Sequence, residues 1–117
     1  MKNPVRRCLS SSTLCSDPVR NAAGEDLGSV RDLMIDLQTG RIAYVVLSFG
    51  GFLGMGDKLF AVPWGAVSVD SQDKCLRLNV DSERLREAPG FDKNHWPDFA
   101  DPAFQSLTHD FYGVKPF

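Results

Sequence analysis

The stretch that decides the fold is Leu27–Phe49, LGSVRDLMIDLQTGRIAYVVLSF. It reads as two strands joined by a tight turn. Over Leu27 to Leu37, Leu33, Ile35 and Leu37 alternate on one face, the period of a half-buried strand. Val30 is out of step with that alternation, which predicts a bulge near Arg31–Asp32. Gln38-Thr39-Gly40-Arg41 is the turn, with glycine supplying the positive φ that a bulged hairpin needs. Arg41 to Phe49 follows as the longest expected strand, and Ile42 through Leu47 are apolar without a break. A strand apolar on both sides is covered on both faces. One face, then, belongs to a core, and the other, around Tyr44, needs a cover from the carboxy-terminal segment or from another subunit.

Working outward, the next segment is the glycine-rich connection in VVLSFGGFLGMGDKLFAVPW, Val45–Trp64. A phosphate-binding P-loop requires G-x-x-x-x-G-K-[ST] between a strand and a helix. Here Asp57 follows Gly56 where the lysine should stand, and Leu59–Trp64 reads as a strand. The dinucleotide pattern fails as well, because Leu59 falls where Gly54-Met55-Gly56 would need its third glycine. What remains is an apolar loop carrying Phe52, Leu53 and Met55. Those side chains cap one end of the core, form a contact surface for a partner or a second copy, or close as a lid over a small ligand. The expected interaction surface is Tyr44, Phe52, Leu53, Met55 and Trp64.

On the amino-terminal side, residues 1 to about 13 are polar, end in Ser10-Ser11-Ser12, and read as a flexible tail. A short strand is expected at Val19–Asn21, with a turn at Ala22–Glu25. Downstream come Val67–Asp70, a polar turn at Ser71–Lys74 and Cys75–Val80, where Leu76, Leu78 and Val80 alternate with Arg77 and Asn79. Five or six short strands with tight turns predict a mainly β small barrel or sandwich. Asp81 is placed to cap a short helix over Ser82–Glu87, stopped by Pro89-Gly90. Asp101-Pro102 opens a second helix with Phe104, Leu107 and Phe111 at helical spacing, ending at Gly113. On this spacing His109 is expected to face solvent.

Composition bounds the rest. The 117 residues suit one domain, 43% apolar and 24% charged, with net charge -2. That balance argues against a dedicated nucleic-acid binder, although Arg6, Arg7 and Arg20 would make a local basic patch. MKNPVRRCLSSSTLC has positive charges but no apolar run behind them, so it does not read as a secretory signal, and no stretch reaches membrane-span length. Cys8, Cys15 and Cys75 form no C-x-x-C pair and read as free thiols in a reducing, cytoplasmic setting. Asp92, His95 and Asp98 are candidate metal ligands, but Pro97 breaks the helix that would align them. Phe91, Trp96 and Phe99 between them read as a docking strap. Ser48 has no nucleophile elbow. Asp32 and Asp36 read as outward-facing or turn-capping acids. The residues therefore predict no catalytic, metal or cofactor site.

Gly24-Glu25-Asp26-Leu27-Gly28-Ser29-Val30-Arg31-Asp32-Leu33-Met34-Ile35-Asp36, then Thr39-Gly40-Arg41-Ile42-Ala43-Tyr44, resembles the opening hairpin of the PRC-barrel family. The likeness continues through Leu59–Trp64, a strand ending in Pro-Trp, to Leu78-Asn79-Val80, about residues 14 to 90. The family's small β-barrel occurs in the cytoplasmic part of the photosynthetic reaction-centre H subunit, at the carboxy terminus of a ribosome maturation factor, and in stand-alone proteins. This chain resembles the stand-alone class, having no membrane-anchoring stretch like that of an H subunit. The resemblance implies a non-enzymatic protein-binding module and carries over no catalytic residue. The expected organisation is a tail at 1–13, a barrel at 14–87 and a carboxy-terminal strap at 88–117. The expected partner is a protein or a second copy in a homodimer or larger assembly, without membrane insertion. Two alternatives are a ligand-binding barrel and an accessory factor in RNA processing or ribosome assembly.

Overall fold

The computed structural model describes residues 8–49 and 58–115. Among them, a short helix α1 (Ser11–Ser16) leads into strands β1 (Pro18–Arg20), β2 (Asp26–Ile35), β3 (Ile42–Phe49) and β4 (Lys58–Pro63). A single 3-10 turn at Trp64–Ala66 links β4 to β5 (Val67–Asp70) and β6 (Cys75–Leu78). Helix α2 (Ser82–Arg86), strand β7 (Gly90–Phe91) and helix α3 (Pro102–Tyr112) complete the chain. The strands form one sheet in the order β5-β6-β1-β2-β3-β4-β7, antiparallel except where β1 runs parallel to β6.

The sheet curls on itself. Val62 of β4 and Val67 at the far edge line the same apolar void, of about 10 Å³, with Val19, Val45, Leu47, Leu76 and Leu78. A flat sheet would hold these strands far apart, since neighbours are spaced by about 4.8 Å. Phe60, Leu27 and Val30 extend this inner core, and Leu14 of α1 and Leu85 of α2 belong to the same cluster. The void is too small and apolar to hold water.

Local chemistry explains the elements. The hydroxyl of Ser10 caps α1 by accepting from the Thr13 amide at 3.1 Å, so the serine run expected as the end of a tail opens a helix instead. Asp81 caps α2 through the Arg84 amide, and Asp101 caps α3 through the Ala103 amide. Arg84 then ties the two helices together, its guanidinium bonding the Phe111 carbonyl at 3.1 Å and lying 4.4 Å from that ring's centre. Gly28 sits at φ +109°, and a Cβ there would overlap the Ser48 carbonyl oxygen of the paired strand. Only glycine permits that backbone and that approach.

The expected bulge is present: the β2–β3 register skips between Val30 and Asp32. A second skip, between Met34 and Ile35, was not expected. Its extra residue, Ala43, lies on β3; on β2, Leu33 packs against the core, whereas Ile35 at the strand's end is 47% exposed and Leu37 in the turn 93%. With its ten residues β2, not β3, is the longest strand. β7, absent from the sequence reading, adds its two residues to β4 through Leu59–Phe91 and Phe60–Gly90.

β3 is buried on both faces, from Ala43 to Leu47. Val45, Leu47 and Phe49 point into the barrel. Against the outer face, around Tyr44, pack Phe91, Phe99 and Phe104 from the carboxy-terminal segment. Ala43 and Ala61 flank Tyr44 there, and their small side chains leave room for the aromatic rings. The chain thus covers its own second face.

Candidate functional site

The β2–β3 hairpin ends in a tip braced by its own polar groups. The Asp36 carboxylate accepts from the Gln38 amide at 3.1 Å and from the Thr39 hydroxyl at 3.0 Å. The Asp36 amide and carbonyl bond Arg41 and Gly40, both at 2.8 Å. Gly40, at φ +74°, supplies the left-handed residue of the turn. Leu37 is presented from this tip into solvent.

Between the tip, the Pro63–Gly65 corner and α3 lies an open cleft of about 910 Å³. Ile42, Ala43 and Pro63 supply apolar lining, with Trp64, Gln105, His109, Arg41 and Lys115 around them. A shallower hollow of about 200 Å³ on the other side of the hairpin runs from Met34, Ile35 and Leu37 to Tyr44 and Phe99. The two share Asp36, Ala43 and Gln105, so the hairpin tip stands between adjoining concavities.

A buried polar contact joins the wall formed by α3 to β3. The Tyr44 hydroxyl and His109 Nε2 lie 3.0 Å apart, with the two residues 1% and 2% exposed. The rings meet edge to face at 5.6 Å, and Phe99 and Phe104 close over Tyr44 at 5.6 and 6.1 Å. Burial raises the tyrosine's pKa, keeping the hydroxyl protonated. His109 therefore faces inward, contrary to the expectation from Phe104, Leu107 and Phe111; Leu107 is the residue in water, at 59% exposure. The buried residues of α3 are Thr108 and His109, flanked by half-buried Gln105 and Tyr112. Such a face is invisible to a hydrophobic periodicity, because a specific hydrogen bond and not apolar character selects it.

The sequence-derived surface is thus divided. Tyr44 is beneath the strap and not at the surface, because the chain's own aromatics occupy the face left apolar by β3. Trp64 is half-buried and lines the larger cleft. Phe52, Leu53 and Met55 lie outside the described residues. Sequence reasoning missed Leu37, Arg41, Gln105 and Lys115, whose meeting depends on where α3 docks. The one available signal was Leu37 itself, an apolar residue abutting a turn.

Asp92 and Asp98 are spent on local structure: Asp92 accepts from the Asn94 amide at 2.8 Å and Asp98 from the Ala100 amide at 3.0 Å, while the His95 backbone amide donates to the Asp92 carbonyl at 3.0 Å. Asp32 likewise accepts from the Leu33 amide. Among the described residues no group of three potential metal ligands gathers, and no helix is long and apolar enough to cross a membrane.

A curled sheet with this hairpin defines a small barrel, and comparison identifies its class. The sequence model of the PRC-barrel domain matches residues 9–85, and the chain belongs to that family. Among solved structures, the chain is similar to a candidate 16S ribosomal RNA processing protein, RimM, of Pseudomonas aeruginosa, with 19% identity and a TM-score of 0.42. That alignment covers 64% of this chain and 45% of the other, so the chain spans under half the length of that protein. No match is found among curated proteins.

Proposed function

We infer that this PRC-barrel is a non-enzymatic interaction module that docks on another protein through the end of the barrel bearing the β2–β3 tip. The observation that carries this reading is Leu37, 93% exposed on a turn fixed by five hydrogen bonds of Asp36 and Thr39 with their neighbours. A scattered surface leucine is ordinary. One held on a rigid projection beside two hollows is pre-organised, so binding sacrifices little conformational freedom. Membership of a family of interaction modules supports the same reading. In this reading residues 14–87 are the barrel, 88–117 the strap that supplies one wall of the contact region, and 1–13 an appended arm. The free thiols Cys8, Cys15 and Cys75 support a reducing, cytoplasmic setting. The outer face of β3 no longer calls for a second copy, so any self-association would run through the tip or through Phe52, Leu53 and Met55.

The test is a photo-crosslinking side chain placed at position 37 in the native host, with position 72 on the β5–β6 turn as the reference site. Discrete protein adducts from position 37, weakened when Ile35→Asp is added, are expected. An adduct at twice the chain mass makes the partner a second copy. Equal labelling from both positions refutes the reading.

A further inference from the structure

The geometry points to the cleft beneath the hairpin tip as the receptor for an acidic peptide segment of the partner, an apolar side chain on its floor and carboxylates at its cationic rim. This deepens the interaction reading and rests on it. The chain carries net charge -2, yet the charged side chains of this cleft are Arg41, Lys115 and Asp36. Asp36 is committed to the turn through both carboxylate oxygens. Arg41 and Lys115 make no ion pair among the described residues, where the salt bridges are those of Arg77 with Asp70 and Asp73. Asp36 keeps its charge there, but Arg41 and Lys115 outnumber it, so this cleft of an acidic chain carries a net positive charge, a local field that attracts carboxylates.

The remaining groups fit the same ligand. Trp64 offers a half-buried ring and an indole N–H with no acceptor among the described residues. Gln105, in the lining, donates its side-chain N–H to the Phe99 carbonyl at 3.0 Å, and its amide oxygen is an acceptor suited to a peptide N–H. At about 910 Å³ the cleft has the size of sites that enclose a few side chains. A nucleic-acid strand fits less well: Ile42, Ala43 and Pro63 suit an aliphatic anchor, and two cations are few for a phosphate backbone.

The experiment is panning of random dodecapeptides against the full chain, followed by titration of the enriched peptides against Arg41→Glu, Lys115→Glu and Trp64→Phe, with thermal melts confirming folding. Enriched peptides are expected to pair aspartate or glutamate with an aliphatic or aromatic residue. Each charge reversal should raise their Kd about tenfold, and more at low salt than at high salt. Loss of the indole N–H should raise it about threefold. Acidic peptides whose Kd ignores Arg41→Glu and Lys115→Glu overturn the cleft assignment and leave the interaction module standing. Enrichment of neutral or basic peptides, or tighter Arg41-dependent binding of a fluorescein-labelled dodecauridylate, overturns the acidic-peptide assignment. Absence of adducts in the crosslinking test overturns the parent reading separately.

Discussion

Replacing Tyr44 with phenylalanine removes one oxygen atom and tests what holds the strap to the barrel. The hydroxyl is the partner of His109 Nε2 at 3.0 Å, and both side chains are buried. Deleting it strips that hydrogen bond from a nitrogen shielded from water, which costs about 1–3 kcal/mol, whichever of the two donates. For a domain of this size about 1 kcal/mol shifts the melting temperature by roughly 4 °C. Tyr44→Phe should therefore lower it by about 4–8 °C, toward the lower half of that cost, because the ring's contacts with Phe99 and Phe104 survive. His109→Leu should cost a similar amount. The double variant, with both polar ends gone, should cost less than the two together by about 1 kcal/mol or more. Urea unfolding followed by the fluorescence of Trp64 and Trp96 supplies the four stabilities of the cycle. Hydrogen exchange adds location: α3 amides should lose protection in Tyr44→Phe while those of β1, β2 and β6 hold. Single costs that add to within about 0.3 kcal/mol, or α3 exchange unchanged, would refute the hydrogen bond as the strap's anchor.

Three further outcomes are expected. Gly28→Ala should destabilise by on the order of 3 kcal/mol, measured by urea midpoint, since φ +109° and the Ser48 carbonyl both exclude a Cβ; a loss under about 1 kcal/mol contradicts that. Glu25 accepts from the hydroxyl and amide of Ser82 and from Asn21, and these bonds, Ser82's foremost, hold its carboxyl below the ordinary value against some desolvation. Its contribution is complete above the unfolded-state pKa and fades as pH falls through the lower folded one, so wild type and Glu25→Gln should differ at neutral pH and converge once the pH has fallen below that folded value. A gap independent of pH refutes this linkage. A thiol reagent should modify Cys8 fastest, Cys15 more slowly because burial and then Asp32 push its thiol pKa up, and fully buried Cys75 only after unfolding; prompt modification of all three is inconsistent with the core.

Short-range chemistry was legible in the sequence. The turn at Gln38–Arg41, the bulge at Arg31 and the caps Asp81 and Asp101 each depend on residues within a few positions of one another, and all four formed as expected. Burial of β3 on both faces followed from composition alone. The family was legible from the resemblance of its ordered motif, whose hairpin residues are the ones the fold uses: Gly28 for the close approach to β3, Asp36 for the turn.

What remained for the tertiary structure were choices between partners distant in sequence. Which of two covers lay over Tyr44 was undetermined because a strap and a second subunit present the same aromatic chemistry to it. The orientation of His109 was misread because its burial is selected by a hydroxyl on β3, 65 positions away. The end of β2 at Ile35, which leaves Ile35 and Leu37 exposed, makes no mark in the alternation of residue types. The cleft exists only because α3 returns to the hairpin, bringing Gln105 and Lys115 opposite Arg41 and Trp64. Sequence determined the local geometry and the barrel through interactions of short range and regular period, whereas the candidate contact surface arises from the docking of one element on another.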